Sequence, residues 1–117
     1  MPFDAAYQMP FGDIELLTDA RSRISDRKFW VQGRFQDGGR HCLIAALSLA
    51  CGSRSFHLPN RTEKKLARLI AKQIRPDAPF IMRCKFISAR HRLMSLNDYP
   101  STTHEDVIAL SIGQLVI

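Results

Sequence analysis

The stretch from His41 to Gly52, His-Cys-Leu-Ile-Ala-Ala-Leu-Ser-Leu-Ala-Cys-Gly, restricts the possible folds more than any other part of the chain. Nine of its first eleven residues are apolar (Cys42 to Leu47 and Leu49 to Cys51). A helix made of them has no face to offer water and must be covered on nearly every side. Gly52 stands where a helix ends by turning left-handed. About three turns fall well short of the ~20 residues that cross a bilayer, so no membrane association is expected. The reading is a buried central helix at 41–51 in a single, mainly α domain of four or five helices.

The flanking segments supply its cover. Residues 1–12 carry Pro2, Pro10 and Gly12 among scattered aromatics and read as an N-terminal arm. The domain then spans 13–117. Asp13 opens a helix to about Asp26, with Ile14, Leu17, Ala20 and Ile24 at helical spacing and acidic residues at its positive end. Phe29 to Phe35 is aromatic and partly alternating, which allows a short extended segment or an ordered loop. Asp37-Gly38-Gly39 is a turn signal leading into the central helix. After a polar loop from Ser53 to Asn60 comes the clearest amphipathic helix, Arg61 to Arg75, capped by Asn60 or Thr62 and stopped by Pro76. Its apolar stripe is Leu66, Leu69, Ile70 and Ile74. Asp77-Ala78-Pro79 suits the start of another helix, to about Ala89, although Phe80, Met82, Cys84 and Phe86 also alternate as in a strand. Leu93 to Pro100 reads as extended, ending in an Asn97-Asp98-Tyr99-Pro100 turn. Thr102-Thr103-His104-Glu105 fits a capping box opening a last helix with Val107, Ile108, Leu110, Ile112, Leu115 and Val116.

Composition narrows the function classes. An apolar fraction of 45% and a charged fraction of 24% are ordinary for a globular domain. Met1 to Pro10 lacks the apolar run of a signal peptide, and three cysteines form no Cys-x-x-Cys pair, so reduced thiols in the cytoplasm are expected. The formal charge of +6 favours acidic partners, nucleic acid among them.

Four blocks carry a family resemblance: Trp30-Val31-Gln32-Gly33, Cys42 to Leu47, Asn97-Asp98 and Thr103-His104-Glu105-Asp106-Val107. From about Lys28 onward the chain resembles a poorly characterised bacterial and phage family, mainly actinobacterial, of domains of unknown function. That family's blocks resemble Trp-Cys-Ala-x-Gly-Ala-Leu and Trp-Asn-Asp, where this chain has His41-Cys42-Leu43-Ile44-Ala45-Ala46-Leu47 and Leu96-Asn97-Asp98. The resemblance implies a small, mostly helical fold and no established activity.

Two sets of residues are candidates for chemistry. Cys42 falls in the first turn of the central helix, where amide groups and the helix dipole favour a thiolate. With His104 as base, Asn97 or Asp98 to orient it and Gln32 as an oxyanion donor, it has the residue types of a cysteine-dependent hydrolase or transferase. Against this, free cysteine is among the most buried residue types, and Asn97-Asp98 is ordinary turn chemistry. The second set is the basic face Arg61, Lys64, Lys65, Arg68, Lys72 and Arg75, offset only by Glu63 and extended by Arg83, Lys85, Arg90 and Arg92 if they face the same way. It suits nucleic acid or another acidic partner. Cys84 and His91 lie seven residues apart and His57 and Cys51 six, without zinc spacing, so neither metal nor cofactor is expected. A non-enzymatic accessory or binding domain is the expected role, with the cysteine enzyme as its alternative.

Overall fold

The structure, a computed structural model, describes residues 5–53, 56 and 58–113, with side chains from Gly12 to Leu110. It is a mainly α single domain. In chain order come α1 (Ala5–Arg23), a short 3-10 turn (Arg27–Phe29), β1 (Gln36–Asp37), β2 (Arg40–His41), α2 (Leu43–Ala50), α3 (Arg61–Ala71), α4 (Phe80–Arg83), α5 (Ala89–Asp98) and α6 (His104–Gly113).

The helix at the centre is α2, packed against α1, α3 and α5. Leu43 to Ser48 are all buried, Ile44 to Leu47 completely. Leu17, Ala20 and Ile24 cover one side of this core, Leu66, Ala67 and Ile70 another, and Leu93, Val107 and Leu110 complete it. Gly52 ends the helix at φ +74°, a left-handed conformation that side chains rarely adopt.

The segment before α2 resolves into specific pairings. Gln36 pairs with His41 and Asp37 with Arg40 across a Gly38-Gly39 turn, in which Gly38 has φ +63°. Trp30 forms a parallel bridge with His41, and the Val31 N–H donates to the His41 carbonyl at 3.1 Å. The extended backbone therefore lies mainly at 36–41, just beyond the expected 29–35.

Three boundaries differ from the sequence reading. The first helix begins at Ala5, so it enters the stretch read as an arm and carries Pro10 within it. The second amphipathic helix stops at Ala71, with Lys72 as its C-cap, short of Arg75. The largest difference lies at 80–98. A single helix to Ala89 followed by extended chain was expected, whereas α4 is only four residues long and α5 occupies the stretch read as extended. Cys84 ends α4 in an extended conformation (φ −67°, ψ 118°), and Ser88 starts α5 by accepting the His91 N–H at 3.2 Å. Phe80, Cys84, Ile87, His91 and Met94 share helical spacing across that break, which merges two helices into one periodicity. The extra helix raises the count to six α-helices among the described residues.

The last capping box also sits one residue later than expected. The Thr103 N–H donates to Asp106 at 2.9 Å, and the Asp106 N–H donates to the Thr103 hydroxyl at 3.1 Å. Ile112, Leu115 and Val116, expected on α6, lie outside the residues whose side chains are described.

If α2 is the support of this core, Leu47→Ala should destabilise the fold by about 2–5 kcal/mol through lost burial and a cavity. Chemical denaturation followed by circular dichroism measures this. An almost unmoved midpoint would place the core elsewhere.

Candidate functional site

An all-apolar helix buried at both flanks has a difficult N-terminus, because its first amide N–H groups still need acceptors. Cys42 meets part of that need. Its Sγ accepts the Ala45 N–H at 3.3 Å, and the residue is only 4% exposed. Asn97, from the last turn of α5, meets the rest. Its Oδ1 accepts the Leu43 N–H at 3.1 Å and the Trp30 indole N–H at 2.7 Å. Its Nδ2 donates to the Val31 carbonyl and to Asp98 Oδ1, each at 3.0 Å. Two accepted and two donated bonds fill the capacity of an amide side chain.

The neighbours extend this polar cluster. Asp98 Oδ1 also accepts the Gly33 N–H at 2.9 Å. Gln32 Nε2 faces the carbonyls of Asn97, Tyr99 and Thr102, at 2.9, 3.0 and 3.3 Å. The His104 ring lies 5.6 Å from the Trp30 ring, and its Nε2 is 2.6 Å from the Ile24 carbonyl. A carbonyl only accepts, so Nε2 carries the hydrogen in that bond. All five residues of the cysteine set thus gather around Trp30 and the start of α2. Cys42 Sγ, both amide atoms of Asn97, Asp98 Oδ1, Gln32 Nε2 and His104 Nε2 are each engaged with backbone or a neighbour in the cluster.

The thiols follow the same pattern. Burial is the largest influence on Cys42 and pushes its thiol up. The amides of Ala45 and Ile44 pull the other way, Asp98 adds to the rise, and the net direction is upward. Burial together with Glu63, Asp13 and Asp19 pushes Cys51 up to about 11. Among the described residues, no three His, Cys, Asp or Glu side chains are grouped to hold a metal ion.

The basic face has a different geometry. Arg61, Lys64, Arg68, Lys72 and Arg75 are exposed, while Lys65 is half-buried and paired with Asp13 at 2.9 Å. Glu63 does not offset the others, because it is fully buried and holds Arg90 at 3.2 Å and the Ser53 hydroxyl at 2.9 Å. Arg90, counted as an extension of the face, is turned inward by that pair. Arg83, Lys85 and Arg92 do join it. They and Arg68, Lys72 and Arg75 line one open groove of about 640 Å³, together with Ala71, Ile74 and Pro76. Six cations and no carboxylate stand in that lining. Beside the lining stands Asp77, held by Arg75 at 2.6 Å and kept below the usual carboxylate range by that hydrogen bond.

The groove exists because of the break between α4 and α5. Arg83 before the turn at Cys84 and Lys85 after it share a lining with Arg68 from the C-terminal half of α3. Arg92 Nε donates to the Met82 carbonyl at 2.7 Å, holding α5 to α4 at the groove wall. Sequence reasoning placed these cations as an extension of the face without the hinge at Ser88 that brings them there. The Ser88-to-His91 cap was the available signal.

The molecule is thus a small helical domain with a closed polar cluster at one helix start and an open basic groove. The chain matches the model of the family of unknown function DUF6197 over residues 10–111, and it belongs to that family. No curated protein and no solved structure gave a match. Among the described residues, no helix is long and apolar enough to cross a membrane.

Two measurements probe the cluster. Asn97→Ala leaves the Trp30 N–H, Leu43 N–H and Val31 carbonyl without their partner, at about 1–3 kcal/mol for each stranded group. A midpoint in denaturant close to that of the wild type would show that water replaces the amide. For Cys42, alkylation of the folded protein at neutral pH should be far slower than in the unfolded chain. Fast native labelling that slows in His104→Ala would mark an activated thiol instead.

Proposed function

We propose that this protein is a non-enzymatic binding domain whose groove between α3, α4 and α5 holds the phosphate backbone of a nucleic acid. The observation that carries this reading is the groove lining, with six cations and no carboxylate. Cations gathered this closely repel one another, and a polyanion relieves that repulsion while releasing condensed counterions to solution. Four of the six are arginines, Arg75 already held by Asp77, and the planar forks of Arg68, Arg83 and Arg92 suit pairs of phosphate oxygens. A phosphodiester backbone has the regular, dense charge that such a lining matches, whereas an acidic protein partner would present carboxylates more sparsely.

The cysteine-dependent alternative has less support. It needs a thiolate with a histidine nitrogen within hydrogen-bond reach. Cys42 is buried with its thiol pushed up, and the hydrogen bonds of Cys42 and of His104 go to Ala45 and to Ile24 rather than to each other. The three cysteines are unpaired thiols, which fits a reducing compartment such as the cytoplasm.

Replacing Arg68, Lys72 and Lys85 by Gln should weaken binding to DNA or RNA regardless of sequence. The slope of log K against log salt should flatten by about 2–3, one counterion term for each lost contact. The control with Arg27, Lys28 and Arg34 changed to Gln removes the same charge from exposed positions outside the groove and should leave most of the affinity in place. Equal losses in the two triple variants would reduce the effect to net charge alone.

A further inference from the structure

Phe86 is 100% exposed, although hydrophobic burial is the main stabilising term of a fold this size. It directly follows Lys85, a groove cation. A second exposed aromatic contacts a groove cation. Phe80 is 67% exposed, and the guanidinium of Arg83, another groove residue, lies 5.9 Å from its ring centre. Both rings are therefore tied to cations of the groove wall, one by the chain and one by a cation–π contact. Phosphate binding alone has no use for them.

Bases do. In a duplex each base is already stacked between its neighbours, so its faces are closed to a protein ring. In a single strand those faces are open, and aromatic side chains beside a cationic track hold them without regard to sequence. We infer that the groove is built for single-stranded nucleic acid, with phosphates along Arg68, Lys72 and Arg92 and a base stacked on Phe86. This rests on the nucleic-acid reading above and adds the strandedness of the ligand and the residue that selects it.

A lipid surface is the competing occupant, since exposed Phe80, Ile81 and Phe86 flank Arg83 and Lys85. The geometry argues against it. The cations line a concavity that a polymer chain can enter and a bilayer cannot, and α4 has only four residues, too few for an interfacial helix face.

The test uses the full chain and fluorescence anisotropy at low salt. The probes are oligo(dT) or oligo(U) of about 16 nucleotides, a phosphate–sugar strand of the same length without bases, and a duplex of the same length. The wild type should bind both base-bearing single strands more tightly than the other two. Phe86→Ala should weaken that binding about 5- to 150-fold, towards the level of the abasic strand, whose own binding stays unchanged. Phe86→Trp should retain it. Full exposure of Phe86 makes both variants compatible with folding, which circular dichroism checks. Equal affinity for single strand, duplex and abasic strand, or indifference to Phe86→Ala, overturns the stacking inference. In that case, loss of binding in the Arg68, Lys72 and Lys85 variant still supports the groove reading. No binding of any probe overturns both. Sedimentation with anionic phosphatidylserine vesicles, lost in Phe86→Ala, would then give the face to a membrane.

Discussion

The structure depends on how one amide side chain closes the start of α2. A helix that is apolar all round can be buried, but its first N–H groups go into the core with it and have no water there. Asn97 reaches across from α5 and supplies the acceptor for Leu43, while Cys42 supplies one for Ala45. The same amide holds Trp30 and Val31, so the strand-like segment, the central helix and the end of α5 are joined through a single residue. Trp30 passes the connection on to His104, and His104 to the end of α1 through Ile24. Five segments of the chain thus share one polar junction, inside which no partner can be removed without exposing the others' needs.

That junction explains how the sequence reads. The apolar run at 41–51 declared itself, because nine apolar residues in eleven permit no other placement. The stripe on α3 was equally plain. Asn97-Asp98, by contrast, has the composition of an exposed turn, and nothing local distinguishes an Asn that caps its own backbone from one that caps a helix 54 residues away. The residues of the cysteine set were recognisable as a group, but their roles depend on bond partners that spacing does not encode. The break between α4 and α5 was hidden for a similar reason. Five residues kept helical spacing across it, and only the cap at Ser88 marks the restart.

The charges sort themselves in a way that composition alone conceals. Several carboxylates are engaged at short range: Asp13 with Lys65, Asp19 with Arg23, Asp37 with Arg40 and Glu63 with Arg90. The exposed pairs among them, Asp19–Arg23 and Asp37–Arg40, add little stability, about 0–1 kcal/mol. The Glu63–Arg90 pair is different, since Glu63 is fully buried and losing either partner would leave a charge in the core. Each of these acids is engaged away from the groove, beside which Asp77 alone of the paired acids stands, held by Arg75. A net charge of +6 spread evenly would give only a weak field. Gathered into a concave wall next to low-dielectric protein, part of it becomes a local potential that can steer a polyanion to one place.

One side of the groove wall is a short element. The helix α4 has four residues, no side-chain cap and a single buried residue, Met82. It packs on α5, and the bond from Arg92 to the Met82 carbonyl joins the two. Segments with few buried apolar contacts open at lower free energy than the core they rest on. Arg83 is therefore carried on a short element, while α3, anchored by Leu66, Ile70 and the buried Glu63, holds Arg68 on the opposite side in place. A rigid cationic ridge facing a compliant one, with an exposed aromatic ring on the compliant side, is a suitable arrangement for a flexible ligand whose bases must be turned out one at a time.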